Sequence, residues 1–243
     1  MPQPRQPRDG RSNSRGAPSS RSKRTAILET ATELFGREGY EHSKWADVAT
    51  TVGIGSTALY HYFESKLHCL YVIMAEALET EVERFDRITS EHDDFAEALV
   101  AVLESAFELS EREVLRNRLL VSEQVLVGVH RTSAREEEAR QLARTRTRDL
   151  EFKWAAFLTR GMDQGAIPEA DPRLLARAIL GLYNSVFHWY RPRAGLGLSE
   201  VAAFFVPRCL VVAGLPMQTA NGGGARTSRP KPARASRPRA AKG

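Results

Sequence analysis

The segment that most limits what this chain can fold into is Ser43–Lys66, SKWADVATTVGIGSTALYHYFESK. In its first half, apolar residues recur at helical spacing and predict a short helix with one buried face. They are Trp45, Val48, Ala49 and Val52. Gly53 and Gly55 then interrupt the pattern, because glycine adopts the left-handed backbone that a sharp turn requires. Two short helices around such a turn are typical of a helix-turn-helix, whose second helix can enter the DNA major groove.

The second short helix is predicted from Ser56 to about Phe63, with Leu59 and Phe63 facing inward. Four side chains that can form hydrogen bonds then face outward. They are Ser56, Thr57, Tyr60 and His61. Ser43 is expected to cap the first of the two helices, because its hydroxyl can accept a hydrogen bond from a free backbone N–H group.

Helical periodicity extends through the rest of the chain, and no strand is predicted, so the fold class is all-α. One helix is predicted before the motif, from Arg21 or Ser22 to Gly36–Gly39, and a long one after it, capped by Ser65. Five later helices are predicted. The first begins at Asp93 or Asp94, the second covers Glu111–His130, and the third runs from Ser133 to Gln164. The fourth begins at Asp171-Pro172, and the fifth is capped by Ser199. Pro207 is expected to kink or break the last one.

The charge distribution divides the chain into four parts. Residues 1–24 carry a net charge of +6 and residues 217–243 carry +7; since the whole chain is +5, residues 25–216 carry −8. We therefore predict a disordered basic arm (1–21), a helix-turn-helix domain (22–70), a helical ligand-binding and dimerisation domain (71–215) and a disordered basic tail (216–243). Such arms favour polyanions, although a purely solubilising role is an equal alternative for the tail.

Several classes of protein are not favoured by the sequence. It contains no nucleophile elbow, P-loop or dinucleotide fingerprint, so we predict neither an enzyme nor a cofactor. No metal site is expected either, and Cys69 and Cys209 both lie in apolar helical patterns typical of buried free thiols. No membrane span or secretory signal is recognisable, which makes a cytoplasmic, nucleoid-associated protein the expectation.

An ordered set of motifs resembles the DNA-binding domain of the tetracycline-repressor (TetR) family of bacterial regulators. The motifs are A-x-x-L-F-x-x-x-G-Y (Ala31 to Tyr40), D-V-A (Asp47 to Ala49), G-I-G-S-T-A-L-Y-H-Y-F (Gly53 to Phe63) and S-K (Ser65-Lys66). The resemblance implies an N-terminal three-helix domain joined by a fourth helix to a C-terminal helical domain that binds a ligand and dimerises.

The resemblance also implies which residues contact DNA. Ser43, Lys44, Tyr60, His61 and Lys66 are expected near phosphates, while Ser56 and Thr57, assisted by Lys44 and His61, are expected at base edges. Gly55, at the start of the recognition helix, is also predicted to belong to the DNA-binding surface. Gly55 occupies the position where the family usually has a capping Ser or Thr, and Ala58 replaces a common phosphate-binding hydroxyl. Residues 25–66 are net −3, so we expect the arginine-rich arm to supply the missing positive charge.

In the C-terminal half, Leu180–Pro192 (LGLYNSVFHWYRP) resembles a segment of family members that sense acyl-CoA thioesters. The candidate ligand-binding residues are Trp154, Phe157, His188, Trp189 and Arg191. The alternative is that the aromatic residues belong to the core or to a dimer interface and that Arg191 forms a surface ion pair. The predicted dimer interface comprises Ile179, Leu182, Tyr183, Val186, Phe187, Phe204 and Phe205, an apolar stripe that a partner subunit would cover.

These observations predict a homodimeric transcriptional repressor that binds a near-palindromic DNA operator. A small-molecule effector, with an apolar acyl chain or acyl-CoA as the first candidate, is expected to release the protein from DNA. The alternative is a sequence-neutral, nucleoid-type DNA-binding protein driven by its basic tails.

Overall fold

The computed structural model describes residues 20–216, and within them it contains nine α-helices, one 3-10 turn and no strand. The helices are α1 Ser20–Glu38, α2 Trp45–Val52, α3 Ser56–Tyr62, α4 Lys66–Glu91, α5 Phe95–Ser105, α6 Glu111–Ser122, α7 Ala134–Asp163, α8 Pro172–Trp189 and α9 Leu198–Val212. The all-α prediction is confirmed. The predicted disorder of the two basic ends falls on residues outside the described ones, except that residues 20 and 21 belong to α1 and that residue 216 is the last described residue, following α9 without regular structure.

Most of the predicted helix starts are confirmed, because their capping side chains bind free backbone N–H groups. Ser65 accepts a hydrogen bond from His68 N at 2.9 Å, and Asp94 accepts one from Glu97 N at 2.8 Å. Asp171 accepts two, from the backbone N–H groups of residues 173 and 174, and Pro172 follows it as the first residue of α8. Local sequence therefore fixes these boundaries.

Two predicted caps are wrong. Lys44, not Ser43, is the N-cap of α2, because the Ser43 hydroxyl is buried and donates to the Tyr40 carbonyl at 2.9 Å. The last helix begins one residue before Ser199, and the Glu200 carboxylate accepts a hydrogen bond from Gly197 N at 2.8 Å.

The predicted break at Pro207 is also absent, because α9 continues through this proline to Val212. Buried side chains lie on both sides of it, Val206 before and Cys209 after, and their packing holds the helix together across the missing N–H donor. Cys209 and Cys69 are both buried free thiols, as predicted.

The helix predicted over Glu111–His130 is interrupted. It ends at Ser122 and is followed by a 3-10 turn, Gln124–Gly128, on which Val125 is 81% exposed. Side chains bind two carbonyl oxygens of this turn: the Tyr71 hydroxyl donates to Leu126 O at 2.9 Å, and Arg140 Nη1 donates to Val127 O at 2.6 Å. These long-range hydrogen bonds replace those that a continuous helix would have made.

The described residues form two hydrophobic cores, and α4 contributes to both. Its first half packs with α1–α3 around Phe35, Leu59 and Phe63. Its second half packs with α5–α9 around residues such as Phe95 and Leu158. A single continuous helix thus connects the helix-turn-helix domain to the larger helical domain. None of the described helices combines the length and apolar character needed to span a bilayer.

The two domains also meet where α1 packs against α6. Arg112 on α6 forms ion pairs with Glu29 at 2.9 Å and with Glu33 at 3.1 Å, both on α1. Near these charges, Gly36 lies directly against Leu115. The contact places α6, which also forms part of a cavity wall, in direct contact with the helix-turn-helix domain.

Candidate functional site

The outward face of α3 is the first candidate site. Leu59 is fully buried and anchors the helix, while Ser56, Thr57 and His61 are exposed and the Tyr60 side chain is 52% exposed. The predicted inward and outward faces of this helix are confirmed. Gly55 is its N-cap and provides no side-chain hydrogen bond, so the first N–H groups of α3 are left for solvent or an anion.

Two of the predicted phosphate-binding side chains are directed into the protein instead. Lys66 Nζ donates to the carbonyl oxygens of Tyr40 and of Ser43, the latter at 2.7 Å, and lies 4.2 Å from the centre of the Tyr40 ring. Burial lowers the pKa of Lys66, against the opposing effect of Glu41. Lys66 and Ser43 therefore stabilise the turn between α1 and α2, whereas Lys44 remains exposed at the N-terminus of α2.

The second candidate site is a cavity of about 570 Å³ in the larger domain, between α4, α5, α6, α7 and α8. Its volume lies within the range of small-molecule sites, which is roughly 300–1,000 Å³. Much of its wall is apolar. Its apolar lining residues include Met74, Leu78, Phe85, Val102, Leu103 and Trp154. The cavity can therefore hold a hydrophobic group of substantial size.

One part of the cavity wall is polar and buried. Arg84 donates to Glu81 Oε1 at 3.0 Å and to the Ser105 carbonyl at 3.1 Å. Burial raises the pKa of Glu81, and the neighbouring Arg84 opposes that effect. Asn117 and Tyr183 are hydrogen-bonded to each other at 3.1 Å, and burial also raises the pKa of the Tyr183 phenol.

Exposed arginines line the rim of the same cavity. Arg144 and Arg148 on α7 and Arg177 on α8 all line it and are exposed to solvent. Among the residues that the structure describes, the acid at this rim is Glu151, whose carboxylate lies 3.5 Å from Arg177. The rim therefore has an excess of positive charge, which suits an anionic group on a ligand.

Of the five predicted ligand-binding residues, the structure brings only Trp154 to this cavity. Phe157 lies in the core, with its ring 4.7 Å from that of Phe95. Arg191 is occupied locally, since its Nη1 donates to the carbonyl oxygens of His188 and Tyr190. Together with His188 and Trp189, it belongs to the exposed end of α8 and not to the cavity.

Sequence reasoning missed the polar side chains of the cavity. Asn117 had a recognisable signal, because it lies in a stripe with Val114 and Val121, at spacings of three and four residues, where another apolar residue would be expected. Glu81 and Arg84 gave no comparable signal, because charged residues on a long helix are usually solvated.

The predicted uncovered stripe on α8 is largely covered within one protomer. Ile179, Val186 and Phe187 are buried in the core, and Tyr183 lines the cavity, so these four are wrong as members of an exposed stripe. The remaining three, Leu182, Phe204 and Phe205, are accessible; Phe204 is 53% exposed. For these three, participation in a dimer interface stays a prediction.

Two family models match this chain. One, described as bacterial regulatory proteins of the tetR family, matches residues 27–70 and so covers α2 and α3. The other, described as the tetracyclin repressor-like C-terminal domain, matches residues 110–211.

Known proteins resemble the chain over most of their length. PfmR, a TetR-family regulator from Thermus thermophilus, is 31% identical with a TM-score of 0.63, over 78% of this chain and 98% of that one. The crystal structure of AibR with isovaleryl coenzyme A and operator DNA is 22% identical with a TM-score of 0.64, over 76% and 97%. The transcriptional repressor KstR2 of Mycolicibacterium smegmatis is 24% identical over 189 residues, 74% of this chain and 85% of KstR2.

Proposed function

Because this chain belongs to the TetR family of DNA-binding transcriptional regulators, we propose that it is a homodimeric repressor controlled by an anionic acyl effector. In the absence of the effector, the α3 helices of the two protomers occupy successive major grooves of a near-palindromic operator. Their separation is then about one helical turn of DNA, roughly 34–36 Å. Binding of the effector favours a different separation and releases the DNA.

The observation that carries this proposal is the path of α4. The helix begins at Lys66 beside the DNA-binding domain, and further along it Met74, Leu78 and Glu81 line the cavity. A ligand that displaces α4 at the cavity therefore also displaces α3, since both pack in the same N-terminal core. The DNA-binding face of α3 and the cavity are thus two distinct sites joined by one rigid helix, α4. Coupling between effector and DNA binding requires such a connection.

The chemistry of the cavity supports an acyl group joined to an anionic carrier such as coenzyme A. An apolar wall that includes Phe85 and Trp154 suits the acyl chain, and the exposed Arg144, Arg148 and Arg177 suit phosphates. AibR, which shares this fold, has been crystallised with isovaleryl coenzyme A and operator DNA. That precedent makes an acyl-CoA the first effector to test.

The exposed α3 face supports sequence-specific binding over the sequence-neutral alternative. Ser56 and Thr57 would contact base edges, while Lys44, Tyr60 and His61 would contact phosphates. A protein held on DNA by basic tails alone would need no such surface. For dimerisation we propose the exposed apolar side chains near the end of α8 and on α9, including Trp189 and Phe204.

The proposal can be tested by fluorescence anisotropy with DNA that flanks the gene and with random duplex of equal length and salt. We expect at least about a thousandfold preference for one palindromic segment. Addition of acyl-CoA thioesters should release that segment. Equal binding of the two duplexes would favour the sequence-neutral alternative, and light scattering of the free protein would show whether it is a dimer.

A further inference from the structure

The buried polar end of the cavity has a hydrogen-bond arrangement that determines the orientation of one amide. The Tyr183 hydroxyl donates its single hydrogen to the Ala106 carbonyl at 2.9 Å. Its oxygen must therefore act as an acceptor toward Asn117, which lies 3.1 Å away. Only the amide nitrogen of Asn117 can donate, so Nδ2 points to Tyr183 and Oδ1 points away from it.

The Asn117 side chain is left with an unused acceptor. Only 5% of the residue is exposed, and Oδ1 is buried without a hydrogen-bond partner among the described residues. Burying a carbonyl oxygen without a donor is unfavourable, and native proteins rarely do so without a reason. Because Asn117 lines the cavity, a ligand is the most direct source of the missing donor.

Two neighbouring donors are directed elsewhere, since Arg84 and the Tyr183 hydroxyl already donate to other groups of the cavity wall. Arg116 Nε and Nη2 are buried without a hydrogen-bond partner among the described residues, but Arg116 lines the groove beside α1 and not the cavity. Glu81 adds a further acceptor, since its Oε1 receives Arg84 and its second carboxylate oxygen has no hydrogen bond within the described part of the chain. Asn117 Oδ1 and this second Glu81 oxygen are therefore acceptors that no described side chain uses.

We propose that the effector carries a hydroxyl group at the end remote from its anionic group, and that this hydroxyl donates its single hydrogen to Asn117 Oδ1. The inference rests on the proposed function, because it assigns the anionic group to the arginine rim. A methyl-terminated chain would leave Asn117 Oδ1 unpaired, and a ketone or carboxylate would bring another acceptor against it. An ammonium group would be repelled by Arg84. The ligand class is thus a hydroxylated acyl thioester.

The test compares matched ligands on the full-length wild-type protein by isothermal titration calorimetry. The probes are octanoyl-CoA and dodecanoyl-CoA, each paired with its ω-hydroxy counterpart. For at least one chain length we expect the hydroxylated probe to bind about tenfold more tightly, the effect of one well-made hydrogen bond in a buried site. Equal or weaker binding of both hydroxylated probes overturns the inference and leaves the proposed acyl effector intact. Failure of all four probes to bind overturns both.

Two variants test whether the Asn117 side-chain amide is the source of the preference for the hydroxylated probe. Asn117→Leu removes the acceptor while keeping similar size, and we expect it to bind both members of a pair equally. Thr147→Val is the matched control, because Thr147 also lines the cavity but its hydroxyl already donates to the Ala143 carbonyl at 3.0 Å. It should retain the preference. Retention of the preference in Asn117→Leu would contradict the assignment, and the wild-type comparison remains decisive if that variant does not fold.

Discussion

A β-carbon built on Gly36 would lie 2.7 Å from Leu115 Cβ and 3.0 Å from the Leu115 carbonyl oxygen, so α1 and α6 meet with no room for one methyl group. Leu115 itself is buried, and Asn117 of the cavity lies two residues further along α6. This tight contact between the two domains is thus next to the proposed ligand site. Because the two helices are closely packed, a ligand that displaces α6 would also displace α1.

Gly36→Ala is expected to destabilise the protein although alanine is the better helix former. The added methyl group collides with backbone and Cβ atoms, and such overpacking costs about 1–3 kcal/mol. Urea denaturation would measure the change. The matched control is Gly181→Ala on α8, where a new β-carbon meets nothing within 4 Å, and this variant should be as stable as wild type or more stable by up to ~1 kcal/mol. Equal stability of the two variants would contradict the tight contact.

The two faces of α3 could be predicted from sequence because they depend on local periodicity alone. Leu59 is four residues from Phe63, and that spacing is enough to separate an inward side from an outward one. The role of Lys66 could not be predicted in the same way. Its ammonium group binds the carbonyl oxygens of Tyr40 and Ser43, which are 26 and 23 residues away along the chain.

The cavity was equally inaccessible to sequence reasoning, for a related reason. Its polar end combines Glu81 from α4, Asn117 from α6 and Tyr183 from α8, and only the packing of three helices brings them together. The candidates near the end of α8 are neighbours in sequence, but His188 and Trp189 lie in its last turn and Arg191 lies beyond its C-cap, and none of the three lines the cavity.

Lys44 and Lys66 should respond differently to removal of their charge. Lys44→Ala is expected to weaken operator binding and to reduce the slope of log K against log salt by about 1, because an exposed lysine at a phosphate releases one counterion. Lys66→Met should leave that slope unchanged. It is expected to lower the free energy of unfolding by about 1–3 kcal/mol, since two carbonyl oxygens lose a charged donor.

Anisotropy titrations at several salt concentrations, together with urea denaturation, separate these two effects. Titrations of Lys66→Met should be made at a temperature where the variant is folded. If folded Lys66→Met had a reduced salt slope, the wild-type Lys66 side chain would have to leave the carbonyl oxygens of Tyr40 and Ser43 and bind a DNA phosphate.

The N-terminal arm should account for much of the salt dependence of operator binding. Residues 1–19 carry four arginines and one acid, whereas residues 25–66 are net −3. Replacing Arg5, Arg8, Arg11 and Arg15 with glutamine is expected to weaken binding and to lower the salt slope by about 0.9 for each phosphate that had been neutralised. The substitution keeps the length of the arm, so the change reports charge alone. An unchanged slope would refute the role of the arm.

The last prediction concerns pH and the pair Arg140–Glu137, which makes two hydrogen bonds of 2.6 and 2.7 Å. The Arg140 guanidinium holds the pKa of Glu137 well below its usual range. A carboxyl group whose pKa is lower in the folded state stabilises the fold above its unfolded pKa, about 4.3, and loses that contribution as pH falls. Arg140→Met should therefore destabilise the protein at pH 7, and the deficit should shrink below about pH 4.

Urea denaturation of wild type and variant between pH 7 and pH 3 would measure this deficit. The control is Arg135→Met on the same helix, because Arg135 is exposed and lies 3.9 Å from Glu64. An exposed pair at that distance contributes little to stability, so the control should differ only slightly from wild type at every pH. A deficit for Arg140→Met that stayed constant from pH 7 to pH 3 would mean that the ion pair is not its source. The bond from Arg140 to the Val127 carbonyl would then explain it, since that bond does not titrate in this range.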